Sequence, residues 1–393
     1  MAISESEKAI LDWLAQQYDA MVALLAETVN IDSGSYNKKG VDAVGRVFRD
    51  HLSKAGIACE VIPRAEFGDC ILAEVPLRGG LESDGHVLLL GHMDTVFPEG
   101  AVADRPFRID GNIAYGPGVS DMKAGLVLNT FVAEAFARAG GAPLPLKVLY
   151  TGDEEIASPS SRPVTEAAAR GARLVLNSEP GRPSGNVVTS RKGAMFIDLE
   201  VSGRAAHSGG AHALGASAIE ALARKIQKLH ALTDYDSGTT VNVGLMKGGV
   251  SVNMVAPHAS AQIDVRFETF EDMYAAKRQI EAIVETVEVP NTSAAIKGIR
   301  NFLPLVENDA NRALFECYAG CARDLGFEVQ GEFAGGSADS GFTSAVGAPT
   351  LCATGAVGSN AHTPEEFLRL DTMVQRAQAI ALTIMRHGSG SRG

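Results

Sequence analysis

The sequence predicts an α/β protein with a mainly parallel twisted sheet flanked by helices, and with an inserted α+β domain that carries an antiparallel sheet. Two observations predict this fold class. In the first and last parts of the chain, short and almost continuous apolar runs alternate with helical segments, which is typical of strands covered on both faces. Between about Ser190 and Arg300, strand-like runs alternate apolar and polar residues, as expected of a sheet with one exposed face.

We therefore expect a main domain in two parts, residues 1–189 and 300–393, interrupted by an inserted domain of residues 190–299. A chain of 393 residues is long enough to bury more than one hydrophobic core. No internal repeat is visible, and no low-complexity tract apart from the tail.

Helical periodicity appears along the whole chain. Apolar positions from Glu5 to Val29 recur at helical spacing and predict one long amphipathic helix. A second helix is predicted from Val41 to Ala55. The remaining predicted helices cover residues 216–232, 271–284 and 311–325.

Strands are predicted where apolar or alternating runs are bounded by turn residues. In the main domain they cover residues 70–75, 86–90, 146–150, 174–177 and 349–353. In the inserted domain they cover residues 196–201, 240–244 and 261–267.

The composition limits the partners. Hydrophobic residues make up 46% and charged residues 21%, which is ordinary for a globular protein. The net charge of −12 argues against nucleic acid or a membrane surface as the main partner. The N-terminus lacks the features of a signal peptide, and the five scattered cysteines do not resemble a disulfide framework, so we expect a cytoplasmic protein. The tail from His387 onward is expected to be disordered.

Polar side chains of the metal-ligand type follow four of the main-domain strands. They are His92 and Asp94, then Asp153, Glu154 and Glu155, then Glu179, and finally His362 after a glycine-containing loop. Ligands bind beyond the carboxyl ends of strands in open α/β sheets, so these side chains are expected to converge. A single histidine or glutamate pair would more often be structural or solvated, but the combination of imidazole and carboxylate suits Zn²⁺ or a similar divalent ion.

Six sequence blocks resemble the M20 metallopeptidases. They are Gly91-His-Met-Asp-Thr-Val, Ala114-Tyr-Gly-Pro-Gly-Val-Ser-Asp-Met-Lys-Ala-Gly, Thr151-Gly-Asp-Glu-Glu, Ser178-Glu-Pro, Gly203-Arg-Ala-Ala-His-Ser-Gly and Asn360-Ala-His-Thr-Pro. Met93 and Phe97 make the chain more similar to the glutamate carboxypeptidase branch than to the acetylornithine or succinyl-diaminopimelate branches. The resemblance implies a zinc-peptidase-like catalytic domain and an inserted domain that acts as lid and dimerisation domain.

The resemblance also implies two Zn²⁺ per subunit, with Co²⁺ or Mn²⁺ as alternatives. The implied ligands are His92 and Glu179 for one ion, Glu155 and His362 for the other, and Asp121 as the bridge between them. Glu154 would be the general base that activates a metal-bridging water, and Asp94 would orient His92. The Asp121-Met122 peptide bond would be cis.

Other residues would contact the substrate. By resemblance, His207 would reach the active site of the partner subunit in a homodimer and stabilise the oxyanion. Arg266 would bind the free α-carboxylate of the substrate, although it could be an ordinary exposed arginine on a strand. Asn253 would add a polar contact, and Gly336 and Asp339 belong to a glycine-rich loop that contacts substrate or is a plain tight turn.

Some candidates are left open or disfavoured. Arg191, Lys192 and Arg300 either add positive charge near the substrate or are ordinary hinge and surface residues. Ser337 and Ser340 do not sit in a strand–turn–helix elbow, which disfavours a serine nucleophile. The remaining candidates are Cys317 and Cys321, which are expected to pack in the core, and Ala157, which stands where the family usually has glycine.

The predicted function is zinc-dependent hydrolysis of an amide bond. The product would be a C-terminal amino acid, glutamate or aspartate, released from an N-acyl, peptidyl or pteroyl conjugate. The first alternative is an aminoacylase or dipeptidase of the same family with another side-chain preference. The second is a catalytically silent protein that binds metal or a small acid, which the presence of Glu154 argues against.

Overall fold

The protein is described by a computed structural model that covers residues 3–79 and 84–388, with side chains up to residue 387. The chain forms two compact units. The first comprises Met1–Ser190, Glu307–Ala334 and Phe342–Gly393, and the second comprises Arg191–Val306 and Gly335–Gly341. The first is an α/β unit around a mixed, mainly parallel sheet, and the second carries an antiparallel sheet, so the predicted fold class is confirmed.

The helices are distributed along the whole chain. In chain order they are α1 (Glu5–Ala15), α2 (Tyr18–Val29), α3 (Lys38–Lys54), α4 (Ala101–Asp104), α5 (Ala124–Arg138), α6 (Arg162–Ala169), α7 (Ala218–His230), α8 (Phe270–Glu285), α9 (Asp309–Asp324), α10 (Ser340–Ala345) and α11 (Thr372–Gly388). A kinked turn covers Val119–Lys123, and short 3₁₀ turns cover Glu154–Ile156 and His212–Leu214.

The strands alternate with these helices. In chain order they are β1 (Ala58–Ile62), β2 (Cys70–Val75), β3 (His86–His92), β4 (Arg108–Asp110), β5 (Ile113–Tyr115), β6 (Leu146–Thr151), β7 (Ala172–Asn177), β8 (Val187–Arg191), β9 (Gly193–Ser202), β10 (Thr240–Gly248), β11 (His258–Phe267), β12 (Ser293–Phe302), β13 (Gly331–Ala334), β14 (Thr350–Cys352), β15 (Gly358–Ser359) and β16 (Phe367–Arg369).

The largest sheet has eight strands in the order β1-β2-β6-β3-β7-β14-β8-β13. Its central strands β6, β3, β7 and β14 are parallel, whereas the β1–β2, β2–β6 and β14–β8 pairs are antiparallel. Every residue of β3 is buried. Val87 and Leu89 belong to one apolar cluster and Leu88 and Leu90 to another, because successive side chains point to opposite faces of a sheet. The two covered faces explain the continuous apolar runs of the main-domain strands.

A second sheet belongs to the second unit. It has the order β10-β11-β9-β12, with antiparallel pairing throughout. The helices α7 and α8 belong to the same unit and lie near their predicted positions. Strand β12 was not predicted, because its sequence Ser-Ala-Ala-Ile-Lys-Gly-Ile-Arg-Asn-Phe is poor in strand-forming residues and its pairing with β9 shifts register between Ile296 and Gly298.

A small third sheet in the first unit has the order β15-β16-β5-β4. Strand β5 runs towards the kinked turn Val119–Lys123, and the connection between β15 and β16 contains His362 and Glu366. This sheet therefore brings two distant parts of the sequence together at one place.

Two predictions at the chain ends were wrong. The single N-terminal helix is divided into α1 and α2, because Gln16 and Gln17 bond to the carbonyls of Trp13 and Leu14 three residues back and so close the first helix. The chain is helical through Gly388, so the predicted disordered tail does not begin at His387; residues 389–393 lie outside the described residues.

Cys321 is buried and packs with Leu11 and Leu382, and Cys317 packs against the same cluster, so the prediction that these cysteines lie in the core is confirmed.

Within the described residues, no helix has both the length and the apolar character needed to cross a bilayer.

Candidate active site

The candidate site is built at the carboxyl ends of neighbouring parallel strands. His92 is the last residue of β3, the turn Glu154–Ile156 follows β6, and Glu179 lies two residues beyond β7. Because β3 pairs in parallel with both β6 and β7, these ends meet at one edge of the sheet. The convergence expected from the strand ends is therefore observed.

His92 lies at the centre of the first cluster. Its Nε2 atom is 3.4 Å from Asp121 Oδ1 and 3.8 Å from Glu179 Oε1. Its Nδ1 atom is 3.0 Å from the backbone carbonyl oxygen of Asp94 and 3.4 Å from the Asp94 carboxylate. A carbonyl can only accept, so Nδ1 carries a proton, and in the neutral ring this leaves Nε2 as the nitrogen able to bind a cation.

His362 lies in the second cluster. Its Nε2 atom is 3.3 Å from Asp121 Oδ2 and 3.1 Å from Glu155 Oε2. The two carboxylate oxygens of Asp121 thus face different histidines. His92, Asp121 and Glu179 form one group of ligand-type atoms, and Asp121, Glu155 and His362 form the other, with the atoms of each group within 4.8 Å of one another. The Asp121–Met122 peptide bond is cis, as the family resemblance implies.

The donors in both clusters fit divalent cations. Imidazole nitrogen and carboxylate oxygen are ligands of Zn²⁺ and related ions, and each group offers three of them. The Oε1 atom of Glu155 is buried and has no hydrogen-bond partner among the described residues, as expected of an atom placed to bind something else. Five carboxylates crowded around two histidines also carry an excess of negative charge that a cation would neutralise.

The pKa values reflect this crowding. Burial, and then repulsion from Asp121, raise the pKa of Glu155 to about 7. Hydrogen bonds to Asp121 and Glu155 raise the pKa of His362 to about 10. Burial would lower the pKa of His92, but the surrounding carboxylates, Glu154 first among them, raise it well above its usual value. Each of these shifts shows that the crowded carboxylates favour positive charge between them, whether it comes from a proton or from a cation.

Asp94 anchors the turn that carries the two glutamates. Its Oδ1 accepts a hydrogen bond from the backbone N–H of Glu154, and its Oδ2 accepts one from the N–H of Glu155, both at 3.1 Å. The hydroxyl of Ser35 donates to the same Oδ2 at 2.7 Å. Asp94 is fully buried, so it holds the turn relative to His92 as well as contacting His92 itself.

Glu366 is a residue of the site that the sequence analysis missed. Its carboxylate accepts hydrogen bonds from the backbone N–H groups of Gly118, Ser120 and Asp121, at 3.0, 2.8 and 2.9 Å. It therefore holds the turn on which Asp121 is mounted. The only sequence signal was its position four residues after His362, beside the exposed Glu365, and this does not distinguish the buried glutamate from the exposed one.

Lys123 lies two residues after Asp121, at the end of the kinked turn. It is almost fully buried and donates from Nζ to the carbonyl of Ile31 at 2.9 Å. Burial lowers its pKa to about 7, although the nearby Glu366 and Asp32 oppose the shift. Lys123 thus ties the end of the kinked turn to the residues that follow α2.

His207 belongs to the second unit and is exposed. Its Nδ1 accepts hydrogen bonds from the backbone N–H groups of Gly209 and Gly210, at 3.2 and 3.0 Å. In the neutral ring the proton is therefore on Nε2, which is available as a donor. Asn253 lies beside it, since its carbonyl accepts from the N–H of Ser208 at 3.0 Å.

Arg266 and the glycine-rich loop lie together in the second unit. Arg266 forms a two-point ion pair with Asp264, at 2.7 and 2.9 Å, and its Nη1 lies 3.3 Å from Ser337 Oγ. Gly336 and Asp339 belong to this same loop, with Gly336 exposed and Asp339 buried. Two of the predicted substrate-binding elements are thus in contact.

The three additional cations are already paired. Arg191 donates to the Ser337 carbonyl at 3.3 Å, and Lys192 forms an ion pair with Glu268 at 3.5 Å. Arg300 lies 3.9 Å from Asp198. Ala157, which follows the glutamate turn, adopts a left-handed φ of 71°, and this explains why glycine is common at that position.

Comparison with known proteins identifies the family of this chain. The family model "Peptidase family M20/M25/M40" matches residues 88–386. Carboxypeptidase G2 of Pseudomonas sp. (strain RS-16) is 27% identical over 383 residues, which cover 94% of this chain and 90% of that protein. Acetylornithine deacetylase of Myxococcus xanthus is 30% identical over 349 residues, which cover 79% of this chain and 88% of that protein.

Solved structures share the fold. The M20 family metallo-carboxypeptidase Sso-CP2 from Sulfolobus solfataricus has a TM-score of 0.73 at 18% identity, covering 94% of this chain and 99% of that one. Aminopeptidase PepT from Bacillus cereus has a TM-score of 0.72 at 18% identity, and the match covers 95% of this chain and 99% of that one. With a family model that matches well over half of its length, this chain belongs to peptidase family M20/M25/M40 and is a hydrolase of the metallopeptidase class.

Proposed function

We propose that the protein hydrolyses an amide bond with the help of two divalent cations and releases a C-terminal amino acid, glutamate or aspartate. One observation carries the proposal: the two oxygens of Asp121 face different groups of ligand-type atoms. A carboxylate arranged in this way is suited to bridge two ions.

The proposed ligands divide into two sets that share Asp121. His92 and Glu179 would complete one set, and Glu155 and His362 the other. Zn²⁺ is the proposed ion, with Co²⁺ or Mn²⁺ as alternatives, since these ions accept the same nitrogen and oxygen donors. Such cations lower the pKa of a bound water and polarise a carbonyl oxygen.

Glu154 is the proposed general base. It is buried, and its Oε2 lies 3.8 Å from His92 Nε2, so it faces the cluster without belonging to either ligand group. Its backbone is held by Asp94. In this position Glu154 would accept a proton from the attacking water and return it to the leaving nitrogen.

His207 is proposed to stabilise the oxyanion from the partner subunit of a homodimer. The two backbone donors on Nδ1 support this role, because they leave the Nε2–H directed outward as a hydrogen-bond donor. The residues 190–299 would then act as lid and dimerisation domain, with 1–189 and 300–393 as the catalytic domain.

Substrate selection is proposed to rest on residues of the second unit. Arg266 would bind the free α-carboxylate, assisted by Asn253, Gly336 and Asp339. The contact between Arg266 and Ser337 supports a shared role, because both belong to one local cluster. The free thiols of all five cysteines support the proposed cytoplasmic location.

An aminoacylase or dipeptidase activity is the second candidate. Arg266 would read a carboxylate that is common to all of these substrates, and the similarity to an acetylornithine deacetylase favours an acyl amino acid as substrate. The side chain of the released amino acid distinguishes the two candidates.

The test is release of free amino acid from N-acyl, dipeptidyl and pteroyl conjugates that carry glutamate, aspartate, leucine or ornithine. The protein is assayed as purified, after EDTA, and after re-addition of Zn²⁺, Co²⁺ or Mn²⁺. We expect chelation to stop turnover and metal to restore it, with glutamate or aspartate conjugates preferred. Turnover that survives complete metal removal would overturn the proposal, and a preference for leucine or ornithine would favour the second candidate.

A further inference from the structure

A cavity of about 560 Å³ lies beside the candidate metal site, entirely within the first unit. Glu155 and Ile156 form part of its wall, and the segments 34–37 and 95–99 form the rest. Pockets of this size are typical of small-molecule sites. Glu155 is also one of the ligand-type residues, so the cavity and the candidate metal site share this residue.

The two segments that line the cavity are joined by hydrogen bonds. The N–H of Ser35 donates to the Thr95 carbonyl at 3.2 Å, and the N–H of Thr95 donates to the Ser33 carbonyl at 2.8 Å. Gly34 allows this approach, because a Cβ atom there would collide with the carbonyl oxygen of Phe97. The pocket is therefore preformed rather than assembled from independent loops.

The lining is largely apolar and aromatic. Tyr36 is 76% exposed and Val96 is 41% exposed, so both offer apolar surface to a molecule in the cavity. The Tyr36 ring packs edge-on against Phe67, with centroids 6.1 Å apart. The Arg105 guanidinium lies 4.6 Å from the centre of the Phe97 ring, which holds that ring in place.

The charges of the lining disfavour an anionic occupant. Glu99 and Glu155 are the charged residues among those that line the cavity, and no lysine or arginine is among them. A carboxylate in the cavity would meet no cationic side chain of its lining, whereas a neutral ring would contact Tyr36, Val96 and Phe97.

We propose that this cavity, formed by segments 34–37, 95–99 and 155–156, binds the acyl side of the amide substrate and selects a neutral aromatic or bulky apolar acyl group. The inference rests on the proposed function, and it names the half of the substrate that the proposed function leaves open. An amide carbonyl that reacts beside Glu154 and Glu155 has its acyl substituent within reach of the cavity, because Glu155 belongs to both.

The test compares four conjugates that share glutamate and differ in the acyl group: N-acetyl, N-hexanoyl, N-benzoyl and N-succinyl. We expect kcat/KM for the benzoyl compound to exceed that for the acetyl compound by at least about tenfold. Among the hexanoyl, benzoyl and succinyl compounds, the succinyl compound should have the lowest kcat/KM. Val96→Trp should fill the cavity and lower kcat/KM for the benzoyl compound by about tenfold while changing the acetyl value by less than about threefold.

Val61→Trp is the matched control, because Val61 is an exposed valine of the same unit on β1, outside the cavity lining. Tyr36→Ala removes the exposed ring and should weaken the benzoyl preference in the same direction as Val96→Trp. Calorimetry measures how tightly the four compounds bind to metal-loaded Glu154→Gln. This repeats the comparison of acyl groups in a protein that does not turn them over.

The outcomes separate the two proposals. If no conjugate is hydrolysed but the benzoyl compound binds more tightly than the acetyl compound and Val96→Trp removes the difference, the cavity assignment stands and the proposed function fails. If glutamate conjugates are hydrolysed without an acyl preference, or if Val96→Trp and Val61→Trp behave alike, the cavity assignment is wrong and the proposed function stands.

Discussion

The carboxylate of Glu366 accepts a hydrogen bond from the backbone N–H of Asp121, at 2.9 Å, across 245 residues of sequence. The same carboxylate accepts from Gly118 and Ser120. Glu366 therefore positions the turn that carries the proposed bridging ligand, although it does not itself belong to either ligand group.

Replacing Glu366 should damage both stability and metal binding. Glu366→Ala leaves three buried N–H groups without an acceptor, at a cost of about 1–3 kcal/mol for each group. Glu366→Gln keeps one acceptor oxygen, and we expect it to lower Zn²⁺ affinity by about 10–100-fold while the protein stays folded. Competition with a chromogenic chelator measures the affinity, and urea unfolding measures the stability.

Glu365→Gln is the control for Glu366, because it makes the same chemical change at the adjacent exposed glutamate. It should leave both quantities unchanged. Equal effects of the two variants would mean that charge near the site, rather than the hydrogen bonds to the turn, is responsible.

Glu154 and its neighbour Glu155 should fail in different ways. Glu154→Gln removes the proposed proton acceptor and should lower kcat by about 10²–10⁴-fold without loss of metal. Glu155→Gln should lower the metal content, since Glu155 belongs to the second ligand group. Elemental analysis of the dialysed proteins distinguishes them, and metal loss from Glu154→Gln would reassign that residue as a ligand.

Cation binding should weaken as the pH falls. Burial and Asp121 raise the pKa of Glu155 to about 7, and hydrogen bonds to Asp121 and Glu155 raise the pKa of His362 to about 10, so both groups hold protons near neutral pH. A ligand must lose its proton to bind metal, so raising the pH strengthens binding and each binding event releases protons. Calorimetry in buffers of different ionisation enthalpy counts those protons, and an affinity independent of pH would contradict the assignment.

Two inactive variants should complement each other if His207 acts on the partner subunit. In a mixed dimer of Glu154→Gln and His207→Ala, one site receives an intact Glu154 from one subunit and an intact His207 from the other. Random mixing of the two should restore about one quarter of the wild-type activity. No recovery after proven subunit exchange would place His207 in its own subunit's site or outside catalysis.

The first helix should lose part of its anchoring in acid. Glu7 Oε1 accepts from Arg386 Nε at 2.9 Å, and the backbone N–H of Ser4 donates to its Oε2 at 2.7 Å. Burial would raise the pKa of Glu7, but these hydrogen bonds outweigh it and lower the pKa below the usual value. The stabilisation is therefore complete above the pKa of Glu7 in the unfolded chain and is lost as the pH falls through the lower pKa of the folded state.

Glu7→Gln tests this contact. We expect it to lower the free energy of unfolding by about 1 kcal/mol at pH 7, and by less as the pH falls through the lowered pKa of Glu7 in the folded state, below which the wild type is protonated as well. Glu5→Gln, at an exposed position in the first turn of the same helix, is the control. A difference that persists unchanged in acid would exclude the ionised contact as its cause.

Sequence patterns predicted strands β2, β3, β6, β7 and β14 because their residues are mostly buried. The other strands of the first unit are short or more exposed and were not predicted. In β3, four consecutive apolar residues, Val87 to Leu90, serve two cores, and the polar residues that follow can only lie at the strand's end. The pattern was weaker for β12, which is an edge strand whose residues are mostly half-buried or exposed. The break between α1 and α2 was missed because apolar residues on both sides keep nearly the same helical spacing.

The sequence by itself determined the fold class and the clustering of His92, Glu154, Glu155 and Glu179, because parallel neighbouring strands end at one edge of a sheet. Family resemblance, not periodicity, pointed to Asp121. Only the tertiary structure decided that Asp121 turns one oxygen to each histidine and that Glu366 holds its backbone. The contacts of Asp121 with His362 and Glu366 join segments more than 200 residues apart. No local pattern of apolar and polar residues shows which distant backbone N–H will donate to a buried carboxylate.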